Sequence, residues 1–295
     1  MGGGVAGGAL AAAVSEAGGL GTIGFVPPAR LATELAAARA LTGRPIAVNL
    51  LLPFAREAHW RAAGDADLVV TFWGTPRRRT ARPWLHQCGS VDEVLAAERA
   101  GADGAIVQGV EAGGHVRGKV PALELLAAVR PRVRGSFVLW LAGGIAERDD
   151  VLRALDAGAG AAVAGTRFLA TVESAAHPAY KARVVSDTET KLTGLFSLGW
   201  KAKHRVLVND ALRRWGGVAP ALAPLHWATG PLLRYAPARL QEAAPRGAGP
   251  LLGPNPPLAG QPDRVVETSA LYAGETVARI RDIRAAADAV RDLAP

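Results

Sequence analysis

The stretch that decides the fold is Leu141–Leu169, LAGGIAERDDVLRALDAGAGAAVAGTRFL. It contains two short apolar runs that end in glycine, with a segment of helical periodicity between them over Arg148–Ala157. Strands that are apolar throughout are typical of a parallel sheet covered on both faces, and neighbouring parallel strands need a crossover, which is usually a helix. The stretch therefore predicts a β-α-β unit of an α/β fold.

The same alternation extends over most of the first 190 residues. The predicted strands are Gly21–Gly24, Ile46–Leu52, Leu68–Trp73, Trp84–Gln87, Gly104–Gln108, Phe137–Ala142 and Ala161–Gly165. The predicted helices are Ala29–Leu41, Val91–Ala100, Ala122–Val129 and Arg148–Ala157. Right-handed crossovers between such units close the sheet into a (β/α)₈ TIM barrel. Such a barrel has eight strands and seven are visible, so either the first strand is missing from this chain or the barrel is closed differently.

Residues 191–272 interrupt the alternation, being rich in proline, arginine and tryptophan. The tryptophans of this segment are Trp200, Trp215 and Trp227. Helical periodicity returns over Glu275–Leu293, with Ile283 on its apolar stripe. We predict that residues 1–190 form the barrel, which a last helix within 273–295 completes. Residues 191–272 are predicted to be a mostly helical and loop insertion that covers the barrel mouth as a lid.

Composition limits the classes of function. Hydrophobic residues make up 49% and charged residues 20% of the 295-residue chain, as in globular domains. The net charge of +8 comes from scattered arginines without interleaved aromatic residues, which favours a solvated surface and predicts no nucleic-acid partner. The single cysteine, Cys88, excludes an intramolecular disulfide and suits the cytoplasm. No apolar run predicts a membrane span, and no histidine spacing predicts a metal site.

Glycine-bearing ends of the last two predicted strands indicate a phosphate site. Gly143 and Gly144 end one strand, and Gly165 followed by Thr166 ends the next. In TIM barrels the active site lies at the carboxyl ends of the strands, often with a phosphate site on the late loops. Glycine allows backbone N–H groups to approach a phosphate closely.

A third motif, Gln108–His115 (QGVEAGGH), follows the strand Gly104–Gln108. Its glycine-rich backbone brings His115 to the predicted barrel mouth. Imidazole is the side chain best suited to proton transfer near neutral pH. The remaining five histidines and Cys88 are interpreted as structural.

The chain resembles the FMN-dependent nitronate monooxygenase family, formerly called 2-nitropropane dioxygenases. The resemblance rests on Gln108–His115, Leu141–Leu169, Glu173 with Ser174, Ala17–Gly21, Val48–Leu51 and Tyr272–Gly274. The histidine motif combined with AGGI and GTRF is specific to this superfamily, which includes flavin-dependent enoyl-ACP reductases. The family also carries a strand and a proline just before the position of Met1, and neither is present here.

The resemblance implies FMN as the cofactor and His115 as the catalytic residue, close to the flavin N5 and the substrate. The implied cofactor-binding positions are Met1, Gly2, Asn49, Gln108, Gly113, Gly114, Ala142, Gly143, Gly144, Gly165 and Thr166. Among these, Asn49 is implied to bind the pyrimidine edge of the flavin. Gly113 and Gly114 are implied to line the ribityl side.

The implied reaction is the oxidation of an alkyl nitronate, or of the parent nitroalkane, by O₂ to a carbonyl compound and nitrite. Three alternatives remain open at this point. The first is a flavin- and NAD(P)H-dependent enoyl-thioester reductase on the same barrel, and the second is a diverged, non-catalytic flavin-binding barrel. The third, a flavin-free barrel acting on phosphorylated sugars, is disfavoured by the histidine motif. The sequence predicts no particular oligomeric state.

Overall fold

The structure, a computed structural model, describes residues 1–197, 202–221, 224, 225, 228 and 252–295. Its strands are β1 (Gly21–Ile23), β2 (Ile46–Leu51), β3 (Leu68–Phe72), β4 (Trp84–Cys88), β5 (Gly104–Gln108), β6 (Gly114–His115), β7 (Val138–Ala142), β8 (Ala161–Val163), β9 (Thr190–Thr193) and β10 (His204–Leu207). Its α-helices are α1 (Gly8–Glu16), α2 (Pro28–Leu41), α3 (Glu57–Ala62), α4 (Val91–Arg99), α5 (Ala122–Val129), α6 (Arg148–Asp156), α7 (Thr166–Leu169), α8 (Pro178–Ser186), α9 (Asp210–Trp215) and α10 (Ala286–Leu293).

The main sheet is parallel and has the order β1-β2-β3-β4-β5-β7-β8. All seven predicted strands are present, with ends that differ from the prediction by at most two residues. The sheet curls, because buried side chains from four of its strands pack together on the inner face: Val70, Leu85, Ile106 and Ala142. The α/β barrel predicted from the sequence is confirmed as an open, seven-stranded form.

The sheet is open between its two edge strands. No strand among the described residues pairs with the outer edge of β1 or of β8. This gap lies where the sequence pattern lacks a strand. Helices α1 and α10 contact each other and line the cavity on this side of the sheet through Leu10, Val290 and Leu293.

The connection from β3 to β4 differs from the other crossovers, since residues 73–83 contain no helix. Arg78 fixes this connection by donating to Asp103 at 2.7 Å and to the carbonyl of Gly101 at 2.9 Å. Its guanidinium lies 5.7 Å from the ring centroid of the fully buried Trp84. Arg78, one of the arginines expected to form a solvated surface, therefore has a structural role at this position.

A second, antiparallel sheet has the order β6-β10-β9. Strand β6 carries the glycine-rich motif, and β10 belongs to the segment predicted to be an insertion. The register pairs His204 with His115 and Arg205 with Gly114. The described part of residues 191–272 thus packs against the loop that holds the predicted catalytic histidine. Of the tryptophans in that segment, Trp215 is half-buried, whereas Trp200 and Trp227 lie outside the described residues.

The single helix predicted over Glu275–Leu293 is wrong in its middle. A 3₁₀ helix spans Glu275–Arg279, and α10 begins only at Ala286. Between them the chain is held against the end of β8 and α7, where the N–H of Arg284 donates to the carbonyl of Ala170 and Arg167 donates to the carbonyl of Asp282 at 2.8 Å. These bonds replace helical ones, and Ile283 is 43% exposed instead of facing the core.

Candidate active site

A cavity of about 1230 Å³ lies at the carboxyl ends of the main-sheet strands. It is lined by every residue predicted to bind the cofactor or to act in catalysis: Met1, Gly2, Asn49, Gln108, Gly113, Gly114, His115, Ala142, Gly143, Gly144, Gly165 and Thr166. The carboxyl ends of parallel strands meet at the same edge of a curled sheet, which brings these distant positions together.

The two glycine turns have the geometry of an anion cradle. Gly143 and Gly144 have φ values of 110° and 76°, a region that L-residues with side chains rarely adopt. Within the described residues, the N–H groups of Gly143, Gly144 and Gly165 donate no hydrogen bond to the protein. The Thr166 hydroxyl oxygen accepts from the N–H of Gly274 at 2.9 Å, so its proton remains available to a ligand.

Glu111 lies beneath the first glycine turn and was not singled out by the sequence analysis. One carboxylate oxygen accepts from the N–H of Ala122 at 2.9 Å at the start of α5. A Cβ at Gly143 would lie 3.3 Å from the Glu111 carboxyl carbon, so this side chain fills the space that the glycine leaves. Glu111 therefore ties the motif loop to α5 and lies against the turn at Gly143 and Gly144. Its position inside the glycine-rich motif is the signal that could have found it.

Gln108 fixes the shape of the same loop from β5. Its side-chain amide nitrogen donates to the carbonyl of His115 at 3.0 Å, and its oxygen accepts from the N–H of Arg117 at 2.8 Å. Gln108 is buried but still lines the cavity. The structure thus gives this side chain a positioning function in addition to the cofactor contact predicted for it.

His115 faces the cavity with two aromatic neighbours. The ring centroids of His204 and Tyr272 each lie 5.4 Å from that of His115. Burial, together with the neighbouring His204, lowers the pKa of His115 well below its usual value. The imidazole is therefore neutral at physiological pH, in a state that can accept a proton.

His204 is the residue that the sequence analysis missed most clearly. It is the first residue of β10, and the sequence around it shows no motif. It is fully buried and reaches His115 only through the pairing of β10 with β6. Strand pairing between residues almost 90 positions apart leaves no local signal in a single sequence.

Residues near the chain start and on β2 form another wall of the cavity. The N–H of Gly3 donates to the carbonyl of Phe25 at 3.0 Å, which holds Met1 and Gly2 beside the end of β1. Asn49 on β2 is half-buried and lines the same cavity. An amide at this position can both donate and accept hydrogen bonds, as the pyrimidine edge of a flavin requires.

Cys88 and His86 lie away from this chemistry. Burial raises the pKa of the Cys88 thiol to about 12, so the side chain is an unreactive thiol at neutral pH. Burial lowers the pKa of His86 to about 4, and its Nδ1 lies 2.7 Å from the Thr71 hydroxyl. Both residues are structural, as the sequence indicated.

No group of metal-binding side chains occurs among the described residues, and none of the described helices is long and apolar enough to cross a membrane.

Comparisons with known proteins agree with this geometry. The sequence profile of the nitronate monooxygenase family matches residues 1–74 and 84–295. A nitronate monooxygenase of Neurospora crassa is 31% identical over 237 residues, which is 62% of this chain and 62% of that protein. The chain thus spans less than two thirds of the length of this curated relative.

Two solved structures share the whole fold. A nitroalkane oxidase from Streptomyces ansochromogenes is 30% identical, with a TM-score of 0.77, over 100% of this chain and 92% of that one. FabK from Thermotoga maritima is 28% identical, with a TM-score of 0.76, over 98% and 88% of the two chains. With the profile matching nearly every residue, the chain belongs to the nitronate monooxygenase family.

Proposed function

We propose that this protein is an FMN-dependent oxidoreductase that oxidises alkyl nitronates with O₂ to carbonyl compounds and nitrite. The observation that carries the proposal is the meeting of two glycine turns with free N–H groups and a neutral His115 in one cavity. Family membership and the likeness to a nitroalkane oxidase support it.

The residues present fit FMN. The free N–H groups of Gly143, Gly144 and Gly165 and the Thr166 hydroxyl would bind the phosphate, since backbone N–H groups are strong donors to phosphate oxygens. Asn49 would bind the pyrimidine edge, and the backbone of Met1, Gly2, Gly113 and Gly114 would line the rest of the cofactor. Bound FMN would supply the electron transfer between the nitronate and O₂.

His115 would bind and orient the substrate. A neutral imidazole carries one N–H, which can donate to a nitronate oxygen, and one bare nitrogen, which can accept the α-proton of a neutral nitroalkane. Both uses need the ring to be uncharged before the substrate binds. The low pKa of His115, caused first by burial, provides that state.

The segment 191–272 would act as a lid over this site. Strand β10 lies within this segment, and β9 lies at its start. Both strands form a sheet with the His115 loop. A cover at this position would exclude water from the reacting atoms. We also propose a cytoplasmic location, which a single buried thiol suits.

The decisive experiment combines flavin analysis with two substrates. The purified protein should carry FMN or bind it when added, as flavin absorbance and mass spectrometry of the released cofactor would show. Under anaerobic stopped-flow conditions an alkyl nitronate should reduce the flavin, and in air it should produce nitrite with O₂ uptake.

Each alternative has its own outcome in the same experiment. Rapid flavin reduction by NAD(P)H without reaction with nitronates would replace the proposal by the enoyl-thioester reductase. Tight FMN binding without reaction with either substrate would leave a non-catalytic flavin-binding barrel. A folded protein that stays colourless with excess FMN would refute the cofactor itself.

A further inference from the structure

His204 contacts the proposed catalytic histidine from the neighbouring strand. The two residues are register partners in the β6–β10 ladder, and their rings meet edge to face with centroids 5.4 Å apart. His204 has no exposed surface. Burial makes protonation of either ring costly, and once one ring is protonated, protonation of the other is more costly still because like charges repel.

The tautomer of His204 is set by the backbone. The N–H of Phe196 donates to Nε2 of His204 at 3.3 Å, and the ring centroids of these residues lie 5.7 Å apart. An imidazole nitrogen that accepts a hydrogen bond carries no proton, so the neutral His204 ring holds its proton on Nδ1. A protonated His204 would lose this hydrogen bond.

Tyr272 completes the group and is itself fixed. Its hydroxyl donates to the carbonyl of Pro254 at 2.6 Å, and its own carbonyl accepts from the Tyr180 hydroxyl at 2.6 Å. Its ring centroid lies 5.8 Å from that of His204. Burial raises the pKa of Tyr272, so it stays a neutral phenol.

Two charged side chains beside the β6–β10 ladder, Arg205 and Glu275, neutralise each other. Arg205 pairs with Glu275 at 2.9 Å and donates to the carbonyl of Val110 at 2.8 Å. From β5, the group packed beneath the loop is the uncharged Gln108 amide. On the loop between β5 and β6, the Glu111 carboxylate lines the same cavity as His115 and accepts from the N–H of Ala122 at 2.9 Å. A nearby carboxylate favours a protonated imidazole, so Glu111 opposes the effects of burial and of His204 on His115.

We propose that His204 is a positioning residue that holds the His115 imidazole in place and in its uncharged form. The inference rests on the proposed role of His115 in nitronate oxidation. It adds a specific partner, supplied by residues of the predicted lid, to a histidine that the motif alone would leave on a glycine-rich loop. The same contact makes the protonation state of His115 depend on the docking of β10.

The test is a titration of His115 by NMR in the full-length protein, with the six histidines isotopically labelled and His115→Gln used for assignment. His204→Phe keeps a ring of similar size but removes both nitrogens. In the acid range, where either imidazole can take up a proton, a charge on His204 repels a second charge on His115. Without His204 we therefore expect the His115 titration to move to higher pH by about one unit, the usual scale for a changed neighbour. An unchanged titration in a folded His204→Phe protein would overturn the proposal, because packing alone would then explain the contact.

A second variant and a control keep the test decisive. If His204→Phe does not fold, His204→Gln, which retains an acceptor for the Phe196 N–H, should show the same upward shift. His177→Gln removes another buried imidazole, which does not itself line the cavity and whose Nδ1 accepts from the N–H of Ala179. It should leave the His115 titration unchanged, and a shift as large as that of the His204 variants would contradict a specific role.

Kinetics separate this inference from the proposed function. In an active enzyme, the acid limb of kcat/KM for nitronate oxidation should move upward in His204→Phe together with the NMR titration. If the protein does not oxidise nitronates but the titration still shifts, His204 retains its positioning role and the proposed reaction falls. If nitronates are oxidised but neither the His115 titration nor the pH profile of kcat/KM moves, the proposed reaction is supported and the positioning role of His204 is refuted.

Discussion

At the residue scale, the site combines an uncharged imidazole with backbone donors. His115 borders the cavity between the turn at Gly143 and Gly144 and the ring of Tyr272. In the proposed reaction the imidazole would supply proton chemistry, whereas the glycine turns would supply only hydrogen-bond donors. Substitutions at the two places should therefore affect turnover and cofactor affinity separately.

His115→Ala should lower nitronate turnover by about 10²-fold or more, the usual loss for an acid–base group, while the protein keeps FMN. The reason is that the proposed phosphate donors follow other strands and do not depend on the imidazole. Nitrite production and FMN content, measured on the same preparation, test this. Near-normal rates in the variant would remove His115 from the mechanism.

Gly144→Ala should weaken FMN binding by about tenfold. At a φ of 76° an alanine costs roughly 1–2 kcal/mol, and relief of that strain would turn the N–H away from the phosphate. Gly101→Ala is the matched control, since Gly101 has a φ of 82° but a Cβ there would meet only Arg78 at 3.9 Å. FMN titration by fluorescence should show the loss in the first variant alone. Equal affinities in the two would exclude Gly144 from the phosphate site.

At the scale of elements, the small sheet β6-β10-β9 holds the His115 loop against the barrel. Arg205 on β10 is central to this contact, because one buried side chain joins β10, the carbonyl of Val110 and the carboxylate of Glu275. The loop between β5 and α5 has little regular structure besides the two residues of β6. The ordered conformation of this loop therefore depends on the contacts of Arg205 with Val110 and Glu275.

Arg205→Met should loosen the loop without unfolding the barrel. Removing the guanidinium leaves Val110 without this donor and Glu275 unpaired, at a cost of about 1–3 kcal/mol. Hydrogen exchange measured by mass spectrometry should accelerate over residues 109–118 and stay unchanged in β2 and β3. Arg213→Met, which breaks only an exposed pair with Asp210, should alter neither region. Equal exchange rates over residues 109–118 in both variants would contradict this role of Arg205.

At the scale of the whole molecule, buried neutral histidines make stability depend on pH. Burial lowers the pKa of His86 to about 4, and the pKa of His59 and of His115 is lowered in the same direction. An unfolded chain binds these protons from about pH 6.5 downward, whereas the folded chain does not. Stability should therefore rise with pH from about 4 to 6.5 and then level off.

His86 alone should contribute about 3 kcal/mol to this pH dependence, from its shift between the unfolded and folded states. Urea unfolding between pH 4.5 and 7.5 measures it. His86→Gln lacks the titrating group and should show a flatter dependence, whatever its stability at pH 7.5. Parallel curves for the two proteins would show that His86 is not the group responsible.

Much of the site follows from local sequence. Gly143, Gly144, Gly165 and Thr166 end predicted strands, and parallel strands place their carboxyl ends at one edge. That rule suffices to bring them together with Asn49 and the motif Gln108–His115. The family resemblance then added the roles of these positions, and the cavity lining agrees with the set.

Other features depended on contacts between distant segments. The helix predicted over Glu275–Leu293 breaks because Arg167 and Ala170 bind its middle, and local periodicity carries no information about such partners. His204 and Tyr272 reach His115 only through the pairing of β10 with β6 and with residue 272. The sequence by itself determined the parallel sheet, the glycine turns and the histidine loop, because periodicity and backbone freedom are local properties. Only the tertiary structure decided which buried groups surround His115, because burial and strand pairing join residues that the chain keeps far apart.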